Sequence, residues 1–264
     1  MSDPIHIHNI DDPRLSVYRR LKERELAKLE GRFIAESEHV VKRLLASSYR
    51  TDSVLVAQRQ LNEIAPLVPA DVPLYVVSDS AIHDVVGYRF HTGMIACGFR
   101  GNGASLDEIT ANKETATIVV CPDLISHENL GSIVRTAAGF GADGVLLGPQ
   151  CCDPFYRLAI RVSMGTVFSM PICRSNDLIA DLKRLREEMS YDVVATVLDQ
   201  SAEELLTAPK SKKLAILFGN EAQGLSREVI SVCNRKVTLS MKRGTDSLNV
   251  SIAAGIFLYH FSRE

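Results

Sequence analysis

The run Thr115-Ala116-Thr117-Ile118-Val119-Val120 is almost wholly apolar and rich in β-branched residues. A strand with one face in water alternates apolar and polar positions. A strand without that alternation needs cover on both faces, as a parallel strand flanked by helices has. The residues downstream keep to that scheme. Residues 131–139 read as a helix that can bury Ile133, Val134, Ala137 and Ala138, and 144–147 as the next strand. Helices are expected over 156–163, 177–190 and 228–232, a short extended piece over 167–171, and strands over 192–198, 214–218 and 237–239. Repeated strand–helix alternation predicts a layered α/β fold with a parallel sheet.

The first hundred residues read as a smaller α/β domain. Residues 1–13, with Pro4 and Pro13, are expected to be irregular. Leu15, Tyr18, Leu21, Leu26 and Leu29 suit one helix face, and Gly31 ends the pattern. Residues 32–36 read as extended, 39–46 as a helix, 53–57 and 73–77 as strands, 61–68 and 79–86 as short helices, and 94–98 as a closing strand. Residues 101–113, opening Gly101-Asn102-Gly103, are the linker expected between this domain (1–100) and a second one (114–264).

The chain of 264 residues carries 30 Lys and Arg against 32 Asp and Glu, a formal charge of −2. Phosphate-backbone binding is driven by clustered positive charge, so a nucleic-acid reading requires the basic residues to be segregated. Arg14, Arg19, Arg20, Lys22, Arg24, Lys28 and Arg32 cluster near the start. Glu23, Glu25 and Glu30 are interleaved with them, and a solvated helix face fits this pattern as well. None of the six cysteines forms a C-x-x-C pair, and His6 and His8 suit a surface better than a metal. With no signal-peptide pattern and no apolar run long enough to span a bilayer, a reduced, cytoplasmic setting is expected, without metal or membrane.

Ligands of open α/β sheets collect at the carboxyl ends of strands. Three polar, glycine-containing stretches are expected there: Asn129-Leu130-Gly131-Ser132-Ile133-Val134-Arg135-Thr136-Ala137, then Leu217-Phe218-Gly219-Asn220-Glu221-Ala222-Gln223-Gly224-Leu225, then Val237 to Val250. Each taken alone is also an ordinary turn. In the third, Asp246, Ser247 or Asn249 can be the N-cap of a helix whose Ala253-Ala254-Gly255 centre permits close backbone approach. A nicotinamide dinucleotide site would need G-x-G-x-x-G opening a helix after a strand, which is absent, as is a phosphate-binding Walker loop. Neither Ser163 nor Ser226 has the G-x-S-x-G context of a hydrolase nucleophile. Arg135 offers a fork for a phosphate or a polar reacting centre, and Glu221 can hold Arg135 or accept a hydrogen bond from a ligand.

Taken together and in order, the three stretches resemble the signature motifs of the SpoU/TrmH branch of the SPOUT RNA 2'-O-methyltransferases. Asn129, Gly131 and Arg135-Thr136-Ala137 match the first motif. Gly219-Asn220-Glu221-Ala222-Gln223-Gly224-Leu225 matches the second, and Ser247-Leu248-Asn249-Val250-Ser251-Ile252-Ala253-Ala254 the third. Arg161-Val162-Ser163-Met164-Gly165-Thr166-Val167-Phe168 is similar to a further family segment. Gly31-Arg32-Phe33-Ile34-Ala35-Glu36 and His91-Thr92-Gly93-Met94-Ile95-Ala96 resemble the opening and close of the L30e-like substrate domain that many members carry.

The resemblance implies a C-terminal domain with a trefoil knot, S-adenosyl-methionine as cofactor, a homodimer through that domain, and a structured RNA substrate. Ribosomal RNA, at guanosine, is the expected class; transfer RNA, or an inactive RNA-binding protein of the same fold, is the alternative. It implies a cofactor site at Leu217, Gly219, Asn220, Gly224, Leu239, Met241, Leu248 and Asn249, and a catalytic set of Asn129, Arg135, Glu221, Ser247 and Asn249. Arg135 is expected to position ribose and phosphate, since a guanidinium is too weak an acid to act as a free base. Asn129 and Asn249 would orient groups by hydrogen bonding. Three residues depart from the pattern. Ser37 replaces a glycine, Arg243 adds charge to the cofactor loop, and Ser240 replaces a proline, which is expected to loosen that loop.

Overall fold

A computed structural model describes residues 2–19, 31–110 and 113–262. The chain forms two compact units: Met1–Asn102 with Phe155–Ser169, and Gly103–Pro154 with Met170–Glu264.

The first unit is built on a five-stranded sheet ordered β1-β4-β3-β5-β2, from β1 (Pro4–His6), β2 (Arg32–Glu36), β3 (Thr51–Ala57), β4 (Leu74–Val77) and β5 (Met94–Phe99). β5 runs antiparallel to both its neighbours, β2 and β3. The irregular backbone expected over 1–13 is corrected at β1, which pairs in parallel with β4 along the sheet edge. A proline is tolerated there because it is the first residue of an edge strand. A tight 3-10 helix, Pro13–Tyr18, buries Leu15 and Tyr18, and the Tyr18 hydroxyl meets Ser53 Oγ at 2.6 Å. The positions Leu21, Leu26 and Leu29 of the expected helix lie outside the described residues. Helix α1 (Glu38–Leu45) buries Val40, Val41 and Leu44, and α2 (Ala81–Val86) buries Ile82, Val85 and Val86.

The segment Phe155–Ser169 corrects the expected boundaries, because it packs into this first unit although the chain around it belongs to the second. Phe168 stacks on Phe33 with ring centroids 5.1 Å apart, and Phe155 lies 5.4 Å from the same ring. Arg157 reaches the buried carboxylate of Glu36 at 3.3 Å, and Arg43 donates to the carbonyl of Met164 at 2.6 Å. The segment holds a helix, Arg157–Val162, as expected. The piece expected to be extended, 167–171, instead begins within a 3-10 turn, Thr166–Phe168, and the strand starts only at Ile172.

The second unit has a seven-stranded, wholly parallel sheet ordered β10-β12-β9-β11-β6-β7-β8. Its strands are β6 (Ala116–Cys121), β7 (Gly144–Leu147), β8 (Ile172–Arg174), β9 (Asp192–Val197), β10 (Glu203–Glu204), β11 (Lys213–Leu217) and β12 (Arg235–Thr238). β6 is buried at Ile118, Val119, Val120 and Cys121, and β11 and β7 pair on either side of it. The helices are α3 (Leu106–Thr110), α4 (His127–Gly139), α5 (Leu178–Glu187), α6 (Arg227–Ser231) and α7 (Val250–Ser262). Helix α3 occupies the expected linker and buries Leu106 and Ile109 in the core of this unit. Ser105 and Glu108 cap it reciprocally, a signal legible in Ser105-Leu106-Asp107-Glu108. No helix among the described residues is long and apolar enough to cross a membrane.

Candidate active site

Chain order and strand order part company between β6 and β11. The chain leaves β6 for β7 and β8 on one side, then returns to build β9, β11 and β12 on the other. Such a switch opens a crevice at the carboxyl ends of the strands. Leu217 is level with Val120, and the amide of Phe218 bonds the carbonyl of Val120 at 2.9 Å, so the loops after β6 and β11 start side by side. Glu221 on the second loop takes the N-terminus of α4 on the first. Its carboxylate accepts from the amides of Ser126 (3.0 Å) and Ile125 (3.3 Å) and from Asn129 Nδ2 (3.0 Å). A negative group is favoured at the positive end of a helix. Burial works to raise the Glu221 carboxyl, but the hydrogen bonds from Asn129 and these amides prevail and hold it below the ordinary carboxylate range.

The third stretch joins through Asn249. Its Oδ1 accepts from the amide and hydroxyl of Ser251, at 2.8 and 2.7 Å, and so caps α7. That leaves Nδ2 to donate to Asn129 Oδ1 at 3.0 Å. Asn129, buried, donates onward to Glu221, so Asn249, Asn129 and Glu221 form a directed relay linking all three motifs. Asp123 adjoins it and was not anticipated from the sequence. Burial, then the charge of Glu221, raises its carboxyl, and its buried Oδ1 has no hydrogen-bond partner among the described residues.

Beside the relay lies a cavity of about 660 Å³ at the ends of β9, β11 and β12. Phe218, Leu239, Met241, Leu248, Ala253 and Phe257 give it apolar walls, while Asp199 and Lys236, 3.3 Å apart, supply charge. Hydrogen bonds from the Ser201 side chain and amide, then from Lys236, hold the Asp199 carboxyl low. The loop 219–224 closes tightly, with Asn220 and Gly224 exchanging backbone bonds of 3.1 and 2.9 Å. A Cβ on Gly219 would lie 2.4 Å from the carbonyl carbon of Gly224, so only glycine fits and bare backbone faces the cavity. Size, apolar walls and a few polar groups suit a nucleoside-sized cofactor.

Of the expected cofactor residues, Gly219, Asn220, Gly224, Leu239, Met241 and Leu248 line this cavity. Leu217 does not: it is fully buried in the core of the unit, and the residue after it, Phe218, faces the cavity instead. The side chain of Asn249 turns to Asn129, and that of Asn220 is occupied with the carbonyl of Asp123 (2.9 Å) and the amides of Ala222 and Gln223. Ser247 lines the cavity. Arg135 stands apart. It lies six residues after Asn129 on α4, about 9 Å further along the axis and on another face. It is exposed, with no hydrogen-bond or ion-pair partner among the described residues. Glu221, expected as its possible partner, holds the start of α4 instead. Asp199, Lys236 and Thr196 were missed, because nothing local marks a strand end as facing a cavity. Among the described residues no group of three or more His, Cys, Asp or Glu is placed to hold a metal.

Residues 116–259 match the model of the SpoU rRNA Methylase family. The chain is 34% identical over 262 residues to an uncharacterized tRNA/rRNA methyltransferase of Mycobacterium tuberculosis, covering 96% of this chain and 90% of that one. It is 29% identical over 210 residues to a 23S rRNA (guanosine-2'-O-)-methyltransferase, RlmB, of Haemophilus influenzae, covering 78% of this chain and 84% of that one. An AdoMet-bound rRNA methyltransferase of Sinorhizobium meliloti superposes with a TM-score of 0.81 at 24% identity, over 98% of this chain and 97% of the other. With three motif loops meeting beside a cofactor-sized cavity, the chain belongs to the SpoU rRNA Methylase family and is an RNA methyltransferase.

Proposed function

We propose that the protein is a homodimeric, cytoplasmic methyltransferase acting on the ribose 2'-hydroxyl of a guanosine in structured ribosomal RNA. The relay from Asn249 through Asn129 to Glu221, at the edge of the cavity, carries this reading. When bound, S-adenosyl-methionine supplies a sulfonium methyl that needs no metal to be transferable. The protein then has to align a very weakly acidic hydroxyl and stabilise the charge it develops. Gly219, on the loop after β11, and Leu239, Met241 and Leu248, on a closing loop expected from the family resemblance to be knotted, hold the cofactor side. Asn129 and Ser247 orient the ribose, and Glu221 keeps Asn129 in its rotamer. The first unit grips the RNA, as an L30e-like domain would. The guanosine and ribosomal assignment follows the named activity of the Haemophilus relative.

Arg135 enters through the dimer. Helix α7 leaves Ile252, Ile256 and Tyr259 exposed at i, i+4 and i+7, and Phe140 at the end of α4 lies 6.0 Å from Tyr259. An apolar stripe of this kind on a terminal helix pair suits a second copy. Arg135, exposed on α4, would reach the partner's relay and position ribose and phosphate there. R135A is therefore expected to cut turnover far more than cofactor affinity; equal losses would count against the assignment. Mixing R135A chains with N129A chains should restore part of the activity, since one of the two mixed sites would be intact. Methyl transfer from labelled S-adenosyl-methionine to total RNA, with ribose methylation mapped with and without the gene, tests the reaction itself. Methyl found on a base, or none transferred, would overturn the reading.

A further inference from the structure

The first unit holds a feature that the methyl-transfer site does not use. Sheet register sets Arg32 of β2 directly opposite Phe99 of β5. On the other side of β5, Thr51 is level with Gly98 and the amide of Phe99 bonds the carbonyl of Arg50 at 2.9 Å, so Arg50 is opposite Phe99 too. Arg32, Phe99 and Arg50 thus form one row across β2, β5 and the residue that leads into β3. Both guanidinia lie over the ring, Arg50 at 3.8 Å and Arg32 at 5.2 Å from its centroid. Like charges brought together across a sheet repel. Carboxylates offset only half of this positive charge: Asp52 pairs with Arg32 at 3.7 Å, while exposed Arg50 has no ion-pair partner among the described residues.

We propose that the Arg32–Phe99–Arg50 row is an RNA-backbone clamp, in which the ring holds two guanidinium planes ready for phosphodiester groups. The inference rests on the reading of the first unit as the RNA-gripping part. A guanidinium held over an aromatic ring loses little further freedom on binding, and N–H groups it does not use there can make a bidentate bond to phosphate oxygens. Such contacts fix register without reading bases. Phosphate backbone is favoured over an acidic protein because two forked donors gathered at one ring match closely repeated tetrahedral anions.

The test uses the full-length chain and a fluorescein-labelled RNA hairpin, read by anisotropy across a salt series. R50A should weaken binding about three- to tenfold and reduce the slope of log affinity against log salt by about one. R50K, which keeps charge but not the plane, should recover only part of the affinity. R59A removes the same charge from an arginine already paired with Asp79 at 3.1 Å, and should bind like the wild type. Cofactor affinity should be the same in all four proteins. Equal behaviour of R50A and R59A would overturn the clamp. So would a wild-type chain that does not bind the hairpin at low salt, or an R50A effect that follows a fall in melting temperature. Loss of methyl transfer with hairpin binding intact would instead count against the catalytic reading.

Discussion

The amide of Asn249 is divided between helix and site, and the two halves can be separated. N249D keeps an acceptor for the amide of Ser251 but loses the donor to Asn129, so melting should stay near wild type while methyl transfer falls at least tenfold. N249A should lose activity and about 1 kcal/mol of stability as well. An activity in N249D equal to wild type would show that the relay is only architectural. Glu221 gives a pH signature. Its folded carboxyl lies below its unfolded value, so its contribution is complete above the ordinary carboxylate range and is lost as pH falls through the lowered value. E221Q should therefore flatten the acid limb of a melting-temperature profile. Ser37 carries strain: its φ of 84° and ψ of 154° fall in a region almost reserved for glycine. S37G should raise the melting temperature by roughly 2–4 °C, for about 1 kcal/mol of relief.

At the scale of elements, the loop between β12 and α7 departs from what its sequence promised. Ser240 was expected to loosen it by replacing a proline. In the fold, Ser240 donates twice to Glu204, from its amide at 3.1 Å and its hydroxyl at 2.9 Å. The short strand β10, which the sequence did not announce, sets Glu204 opposite Thr238 and so delivers that carboxylate. A proline has no N–H and could make neither bond. S240P and E204A should each weaken cofactor binding by up to about tenfold in a calorimetric titration, the scale of one or two exposed hydrogen bonds. A tighter-binding S240P would restore the original expectation.

For the whole molecule, the proposed dimer would account for both the exposed stripe on α7 and the exposed position of Arg135. I256E places a charge in the middle of the apolar stripe and should convert a dimer to monomers in light scattering, with methyl transfer falling in parallel. A monomeric I256E with full activity would place Arg135 at the site of its own chain. The chain also passes between the two units three times, at residues 102–103, 154–155 and 169–170. The Arg157–Glu36 pair and the Phe33, Phe155 and Phe168 stack bind the returning segment into the first unit. A fragment ending at Asn102 lacks that part of its core.

The amino-acid sequence determined the α/β class, a buried central strand near 115–120, the order of the three motif loops and a helix cap among Asp246, Ser247 and Asn249, because periodicity and turn chemistry are local properties of a chain. It also marked Ser37 and Ser240 as unusual. Tertiary structure alone decided that Leu217 faces the core, that residues 155–169 complete the first unit, that Glu221 holds the start of α4 rather than Arg135, and that two arginines flank Phe99. Each of these depends on which strands become neighbours. That choice is made by long-range packing, with β11 inserted between β6 and β9, and no window of the sequence contains it.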